Sequence, residues 1–529
     1  MSSRRAAVLT AVGAILLAAS YPPFPLPALS FVALAPAILL VQDALAARDA
    51  RLAFRRGFWY GLAAQALVLY WMVVALWHFT PLSALGYLAT ITILALWTGA
   101  LFWFTVRVRL AAPRVPLAVV FPVAWTAVEW AVGHQGDIRF PWLGLGTSLA
   151  DAPVLVQWAD LAGARGVTLW VAWANVMLVE GLAGKREGGT GKGAALVRYL
   201  APVLGSIVLA AAYGAWRMRA LPVRDLASVG LIQPNEGYHE KWERPGDSVV
   251  AKLLRLSRTL HHRAAPNLIV WPEAAVPYYL QLRPVWDSAI ARFTRDAQSP
   301  LFTGGLYAVF RGPDDYDYFN AAFFVDASGA WRRYPVYGKH YLVPIVERVP
   351  FVPPEWFGNL RFFGGFSRGR ELPVYATAFG RFGPLICYES AFEDLPRRYR
   401  RLGADFLVNI TNDAWFGRTS APYQHASHLV LRAIETRMGV ARAANSGISE
   451  FVDPLGRVYA ETGLETEAAV VDTLRTSDVM TLYVRLGDWV GLLCVVGTVV
   501  LGLWPLGRRV GIPRPGPGPG PGPGGEARS

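Results

Sequence analysis

The chain reads as a multi-span α-helical membrane domain joined to a soluble α/β domain, and three observations predict it. Hydrophobic residues make up 53% of the 529 and charged residues only 17%, with a mean hydropathy of +0.31, whereas a soluble globular chain is nearer a quarter charged. Apolar runs of bilayer-spanning length, roughly 17–25 residues, fall before residue 220 and again near the end. Between them, short apolar runs alternate with longer amphipathic ones, the pattern of strands and helices in an α/β layer fold.

The apolar runs lie near 6–20, 24–42, 57–79, 83–106, 115–133, 166–183, 198–217 and 488–507. The first resembles a signal peptide, with Arg4 and Arg5 ahead of an apolar core. A retained helix is the better reading, because the Pro-rich stretch 21–27 leads straight into another apolar run. Connecting loops alternate in charge. One set carries Arg4 and Arg5, then Arg48, Arg51, Arg55 and Arg56, then Arg107, Arg109 and Arg114, then Lys185, Arg186 and Lys192, and finally Arg508, Arg509 and Arg514. The other set holds only Arg139 and Arg165. The Arg-rich side is predicted to be cytoplasmic. Both termini then lie inside, and the segment 220–485 lies outside, in the periplasm of a two-membrane cell.

The expected boundaries are therefore a membrane domain over 1–219 with seven helices, a soluble domain over 220–485, one more span over 486–507 and a cytoplasmic tail over 508–529. The tail is a Pro-Gly repeat that cannot hold a helix or pack a core, so disorder is expected there. The net charge of +13 does not argue for a nucleic-acid partner, since the basic residues sit between apolar runs where topology explains them.

Within the soluble segment, residues 227–233, 267–271, 385–387 and 405–410 read as buried strands. Turn signals at Asp326-Ala-Ser-Gly329 and Asp453-Pro-Leu-Gly456 suggest hairpins over 318–334 and 448–459. Helical patterns cover 248–262 and 425–438.

Only two cysteines occur, Cys387 and Cys494. Cys494 lies in an apolar run, which leaves Cys387 as a lone thiol in the soluble part and a candidate nucleophile. It follows the strand-like Gly383-Pro-Leu-Ile386 and precedes a run able to start a helix, a position expected to lower its pKa. Glu273, in Trp271-Pro-Glu-Ala-Ala-Val-Pro277, sits at another strand end, boxed by Trp and Pro. Partial dehydration there would raise its pKa and suit a general base. Lys339, in Tyr337-Gly-Lys-His-Tyr-Leu-Val-Pro344, offers an ammonium to favour thiolate or hold a developing oxyanion. Taken singly, each is also what an inert cysteine or a surface charge looks like.

Together, in the order Glu, Lys, Cys and with these flanks, they resemble the nitrilase or carbon–nitrogen hydrolase superfamily. The resemblance implies an α-β-β-α sandwich, with Glu273 as base, Lys339 as oxyanion stabiliser and Cys387 as nucleophile. Val229-Gly-Leu-Ile-Gln233 fits the family's first strand. The full layout is similar to that of the apolipoprotein N-acyltransferase family, as are Phe140-Pro-Trp-Leu143, Lys241-Trp242, Cys387-Tyr-Glu-Ser390, Asn412-Asp-Ala-Trp-Phe-Gly417, Pro422-Tyr-Gln-His425 and Arg442-Ala-Ala-Asn-Ser-Gly447. That resemblance implies a bacterial inner-membrane enzyme. An acyl chain moves from a phospholipid to Cys387 as a thioester, then to the α-amine of a diacylglyceryl-cysteine on a lipoprotein. Two runs depart from the family's pattern: Ile345-Val346 stands before Glu347, where Phe-Gly is commoner, and Arg139 precedes Phe140, where Gly is commoner. Both bear on the shape of the substrate entrance.

Supporting roles fall to several neighbours. Glu347 and Glu389 are candidates to position Lys339 or the incoming amine, Tyr388 to offer its backbone N–H to the oxyanion, and Asn320 to pack beneath the site. Trp142, Trp242, Trp415 and Phe416 are candidate substrate contacts. The stretch 351–366 is rich in aromatics, which suits contact with lipid or acyl chains; core packing is the plainer alternative. No HExxH, P-loop or zinc-type cysteine pair occurs, so no metal or cofactor is expected. Two rival functions remain: a membrane-tethered amidase whose thioester is resolved by water, and a non-enzymatic receptor or transporter that keeps a nitrilase-like shell.

Overall fold

A computed structural model describes residues 1–77, 83–183, 192–237, 246–312, 315–352 and 365–507. The first helices are α1 (Ser3–Ala19), α2 (Ala35–Ala46), α3 (Ala50–Val68), α4 (Trp71–Trp77), α5 (Ser83–Ala111), α6 (Leu117–His134), α7 (Ala159–Ala183) and α8 (Lys192–Ala220). Among the described residues, five helical stretches are long and apolar enough to cross a membrane: Pro27–Ala46, Ala84–Ala111, Leu117–His134, Ala159–Leu182 and Val197–Ala220. Trp489–Leu503 is a shorter apolar helix. The tail 508–529 lies outside the described residues.

The stretch 57–79 is not one helix. It begins earlier, at Ala50, where the Asp49 carboxylate caps the Arg51 and Leu52 N–H groups. It breaks at Leu69 and Tyr70 because the next turn is held from the soluble domain. The Tyr70 hydroxyl accepts the Ser420 N–H at 3.2 Å, and the Trp71 indole donates to Gln424 at 3.2 Å. In α7, Gly163 leaves helical geometry at φ +68, and the Tyr483 ring stands 2.5 Å from where a Cβ would be. Only glycine combines that torsion with that approach.

The soluble domain holds two sheets. Its strands are β1 (Arg224–Gln233), β2 (Leu268–Val270), β3 (Val276–Tyr279), β4 (Leu301–Phe310), β5 (Tyr316–Val325), β6 (Tyr337–Gly338), β7 (Tyr375–Thr377), β8 (Gly380–Ile386), β9 (Phe406–Thr411), β10 (Gly439–Ala444), β11 (Glu450–Val452), β12 (Val458–Tyr459) and β13 (Ala468–Thr476). One sheet runs β13-β1-β2-β4-β5-β6, with β3 on β4; the other runs β12-β11-β10-β9-β8-β7. The central strands β1-β2-β4 and β8-β9-β10 are parallel.

Side chains alternate across each strand. Val229 and Leu231 face the second sheet, while Ile232 faces α9 (Gly246–Ala264) and α10 (Pro284–Ala297). Phe302 and Phe324 meet Phe382 of the opposite sheet, with ring centroids 5.1 and 5.8 Å apart. On the far side lie α11 (Asp394–Arg401) and α12 (Ala421–Thr436). The result is the expected α-β-β-α sandwich.

The domain is docked on the membrane helices through α12. The Ala164 N–H of α7 donates to Glu435 at 2.7 Å, and Arg437, just past α12, pairs with Asp160 at 2.7 Å. A final helix, α13 (Trp489–Gly507), packs against α6 and α7.

The hairpin expected over 448–459 forms as β11 and β12. The one expected over 318–334 forms only its first arm and its turn. Trp331 instead inserts against α10, donating to Asp287 at 2.9 Å and packing on Phe323. The pairing with β5 passes to β6.

Candidate active site

The proposed chemical groups leave the sheets at one edge. Glu273 follows β2, Lys339 follows β6, Cys387 follows β8 and Asn412 follows β9, while Asn320 lies within β5. The two sheets therefore bring acid and ammonium from one side and thiol from the other. Gly304 makes the approach possible: a Cβ there would lie 2.7 Å from the Glu273 Cα.

Glu273, Lys339, Glu347 and Asn320 form one buried network. The Lys339 ammonium lies 3.3 Å from Glu273 Oε1 and 2.9 Å from Glu347 Oε1. Asn320 Nδ2 donates to the same two oxygens at 2.7 and 2.9 Å. The remaining Glu273 oxygen accepts the Asn412 N–H at 2.9 Å, and the remaining Glu347 oxygen accepts the Val343 N–H at 2.8 Å. Burial alone would lower the Lys339 pKa, but Glu273 and Glu347 outweigh it and hold the ammonium well above its usual value. Glu347 thus directly neighbours Lys339, and Asn320 ties the two carboxylates together.

Glu389 does not touch Lys339. Fully buried, it accepts the His340 and Tyr341 N–H groups at 2.6 and 3.2 Å on one oxygen. The other oxygen accepts the Tyr337 hydroxyl and the Ile386 N–H, both at 2.7 Å. It laces the lysine loop to the strand end that carries the cysteine. Burial raises its pKa to about 7 against the pull of those donors.

Cys387 is half-buried and sits at φ +52. It opens a five-residue 3-10 turn, not an α-helix, so little helix dipole reaches the thiol. Burial, with the Glu273 carboxylate, pushes its pKa up; Lys339 pulls the other way and loses. The expectation of a lowered pKa is corrected for that reason: desolvation of the buried thiol, together with the Glu273 charge, outweighs the one ammonium.

Cys387, Glu273 and Lys339 open into a cavity of about 290 Å³. Its far wall comes from the membrane domain, with Trp71, Met72 and Ala75 of α4 and Gly86 and Thr90 of α5. Trp142, Tyr388, Trp415 and Phe416 also line it. Trp71 and Trp142 pack at 5.0 Å, both donate to Gln424, and Phe416 packs edge-on to Trp71. Tyr388 stacks on Trp142 and donates to the Arg139 carbonyl at 2.9 Å. The Arg139 guanidinium covers the Tyr341 ring at 5.1 Å. Ile345, at φ +72 and 54% exposed, stands at the rim with Val346. Trp242 and residues 353–364 of the aromatic stretch lie outside the described residues. A larger groove, about 750 Å³, lies on the other side of the segment that carries Lys339 and Glu347. Arg348 and Gly338 face it while their neighbours Glu347 and Lys339 face the smaller cavity. It contains none of the three reactive groups.

Sequence reasoning gave no role to a second buried cluster beneath Asn412. Asp413 pairs with Arg442 at 2.9 Å and with His425 at 2.9 Å, and all three side chains are fully buried. Its members are spread over 30 positions with no spacing that signals contact, although the runs holding them are distinctive. Burial would raise the Asp413 pKa, but Arg442 and His425 bring it down to about 2.

Known proteins show two matching regions. The carbon-nitrogen hydrolase family matches residues 226–482, and the apolipoprotein N-acyltransferase N-terminal domain matches residues 13–177. The chain is 33% identical over 512 residues to an apolipoprotein N-acyltransferase of Geobacter metallireducens, covering 94% of this chain and 95% of that one. It is 30% identical over 530 residues to one of Chlorobaculum tepidum, with coverage of 94% and 95%. Among solved structures, an amidase from Nesterenkonia sp. overlaps 50% of this chain and 95% of its own at 17% identity and a TM-score of 0.37, too loosely to bear on function.

Proposed function

The chain belongs to the apolipoprotein N-acyltransferase family, and from that premise we propose that it moves a fatty acyl group from a membrane phospholipid to the α-amine of a diacylglyceryl-cysteine at the start of a lipoprotein. The observation that carries this reading is the cavity: Cys387, Glu273 and Lys339 face an apolar space whose opposite wall is made of membrane-domain helices. A water-soluble amide needs no such wall; an acyl chain does.

In the first half-reaction Glu273 takes the Cys387 proton as the sulfur attacks the ester carbonyl. With the thiol pKa raised, the proton leaves in concert with attack rather than beforehand. Lys339 carries three protons, two of which are directed at Glu273 and Glu347. The third, with the Tyr388 backbone N–H, is available to the oxyanion. On collapse the carbon–oxygen bond breaks, and Glu273 returns the proton to the leaving lysophospholipid alkoxide. A thioester remains. In the second half-reaction the acceptor amine attacks that thioester, Glu273 takes the amine proton, and the thiolate leaves and is reprotonated. The largely apolar, aromatic lining of the cavity limits the access of water to the thioester.

The proposed setting is the inner membrane of a bacterium. Residues 1–219 and 486–507 span it, the domain over 220–485 stands on the periplasmic side, and both termini are cytoplasmic. The test is Cys387→Ser. The serine hydroxyl is far less ionised and a poorer nucleophile, so acylation by phospholipid should vanish while the fold persists; normal turnover would remove the assignment.

A further inference from the structure

We propose that Asp413 is the positioning residue of the Cys387–Glu273 pair, setting the thiol through Thr411 and the carboxylate through the Asn412 N–H. The inference rests on the roles proposed above for Cys387 and Glu273. It starts from register. Ile386 of β8 pairs with Ile410 of β9, so the next residues, Cys387 and Thr411, leave the sheet side by side. Thr411 therefore adjoins Cys387, and its hydroxyl donates to Asp413 Oδ1 at 2.9 Å.

A hydroxyl has one proton. An ionised carboxylate is the stronger acceptor, so that proton points at Asp413. The Thr411 side chain is thereby held beside the Cys387 turn as a packing neighbour, and the S–H proton stays free for Glu273. One residue on, the Asn412 N–H meets Glu273 Oε2 at 2.9 Å. Asp413 adjoins that peptide, and Arg442 and His425 anchor its carboxylate. Arg442 is itself fixed by Asn409 and the Ile448 carbonyl. The cluster is packed to contact, since a Cβ on Gly447 would come within 2.2 Å of Asp413 Oδ2. One buried anion thus holds nucleophile and base in a common frame, without touching substrate.

Two readouts test this in a Cys494→Ala background, where Cys387 is the only thiol. The first is the single-turnover release of lysophospholipid from phospholipid. The second is alkylation of Cys387 by iodoacetamide, which involves neither phospholipid nor lipoprotein and so stands if the acyl-transfer reading fails. Asp413→Asn should slow release about 10–100-fold, the scale of a misplaced reacting group, with the KM for phospholipid unchanged. Thr411→Val should slow release about tenfold, and Thr411→Ser should recover most of the rate.

Alkylation separates position from charge. The Asp413 carboxylate raises the Cys387 pKa, so a purely electrostatic role predicts faster alkylation of Asp413→Asn at neutral pH. Positioning predicts slower alkylation. Faster alkylation, or Thr411→Ser as slow as Thr411→Val, would overturn the proposal. If Asp413→Asn does not fold, the Thr411 pair decides alone.

Discussion

Cys387 occupies the left-handed region, which costs a non-glycine residue on the order of 1–3 kcal/mol and persists only where surroundings hold it. The hold is visible in Glu389, whose four donors come from the lysine loop and the strand before the cysteine. Glu389→Gln turns an amide NH₂ toward N–H or O–H donors whichever way it faces. It should lower thermal stability by about 1–3 kcal/mol and slow acylation, measured by melting in detergent and by lysophospholipid release. Lys339→Ala should cost about 2.7–4 kcal/mol of transition-state stabilisation, the scale of one lost oxyanion donor, read as kcat/KM. The raised thiol pKa has its own consequence. At neutral pH the resting cysteine is protonated, so its alkylation rate should climb through pH 7–10 without levelling near the ordinary thiol value of about 8.5. A plateau below pH 8 would show that Lys339 dominates instead. Glu273, Lys339 and Cys387 stood out in the sequence through their flanking runs and the resemblance those runs carry, and the fold brings the three side chains to one cavity. The thiol's ionisation was not legible there, since it depends on burial and on the Glu273 carboxylate arriving from elsewhere in the chain.

Strand and helix periodicity exposed β1, β2, β9, α9 and α12, while β4, β10, β13, α10 and α11 went unread. Two expectations failed where a segment answers to contacts distant in the sequence. The stretch 57–79 is uniformly apolar, yet it breaks at Leu69 because Tyr70 and Trp71 bond to residues about 350 positions away. Trp331 abandons its strand for a pocket beside α10. No local pattern encodes such contacts. The same break places α4 against the cavity, and Gln424 pins it by accepting from two indoles. Gln424→Ala leaves both Trp71 and Trp142 donors without that acceptor. It should cost about 1–3 kcal/mol of stability and slow acylation by letting the cavity wall drift, while Gln424→Glu, which still accepts, should be milder in both measurements.

At the scale of the molecule, the membrane helices supply a wall of the reaction cavity as well as an anchor. That arrangement requires the sandwich to stand on the side opposite the Arg-rich loops. A reporter active only outside the cytoplasm should work when fused near Asp247 and fail near Arg51 or Gly191; activity at Arg51 would reverse the orientation. The two-part layout was readable from hydropathy alone, but the docking of α12 on α7 through Glu435, Asp160 and Arg437 was not, because buried charge pairs between domains leave no periodic trace. The central claim is that Cys387 carries the acyl group between donor and acceptor. The direct measurement is intact mass of the purified protein after incubation with phospholipid alone, followed by addition of a diacylated lipopeptide with a free α-amine. The account predicts one fatty acyl adduct on Cys387, one equivalent of lysophospholipid and then a halt, with the adduct discharged onto the lipopeptide when it arrives. Steady release of free fatty acid without acceptor, at the rate seen with it and with no adduct retained, would contradict the account and make the protein a hydrolase.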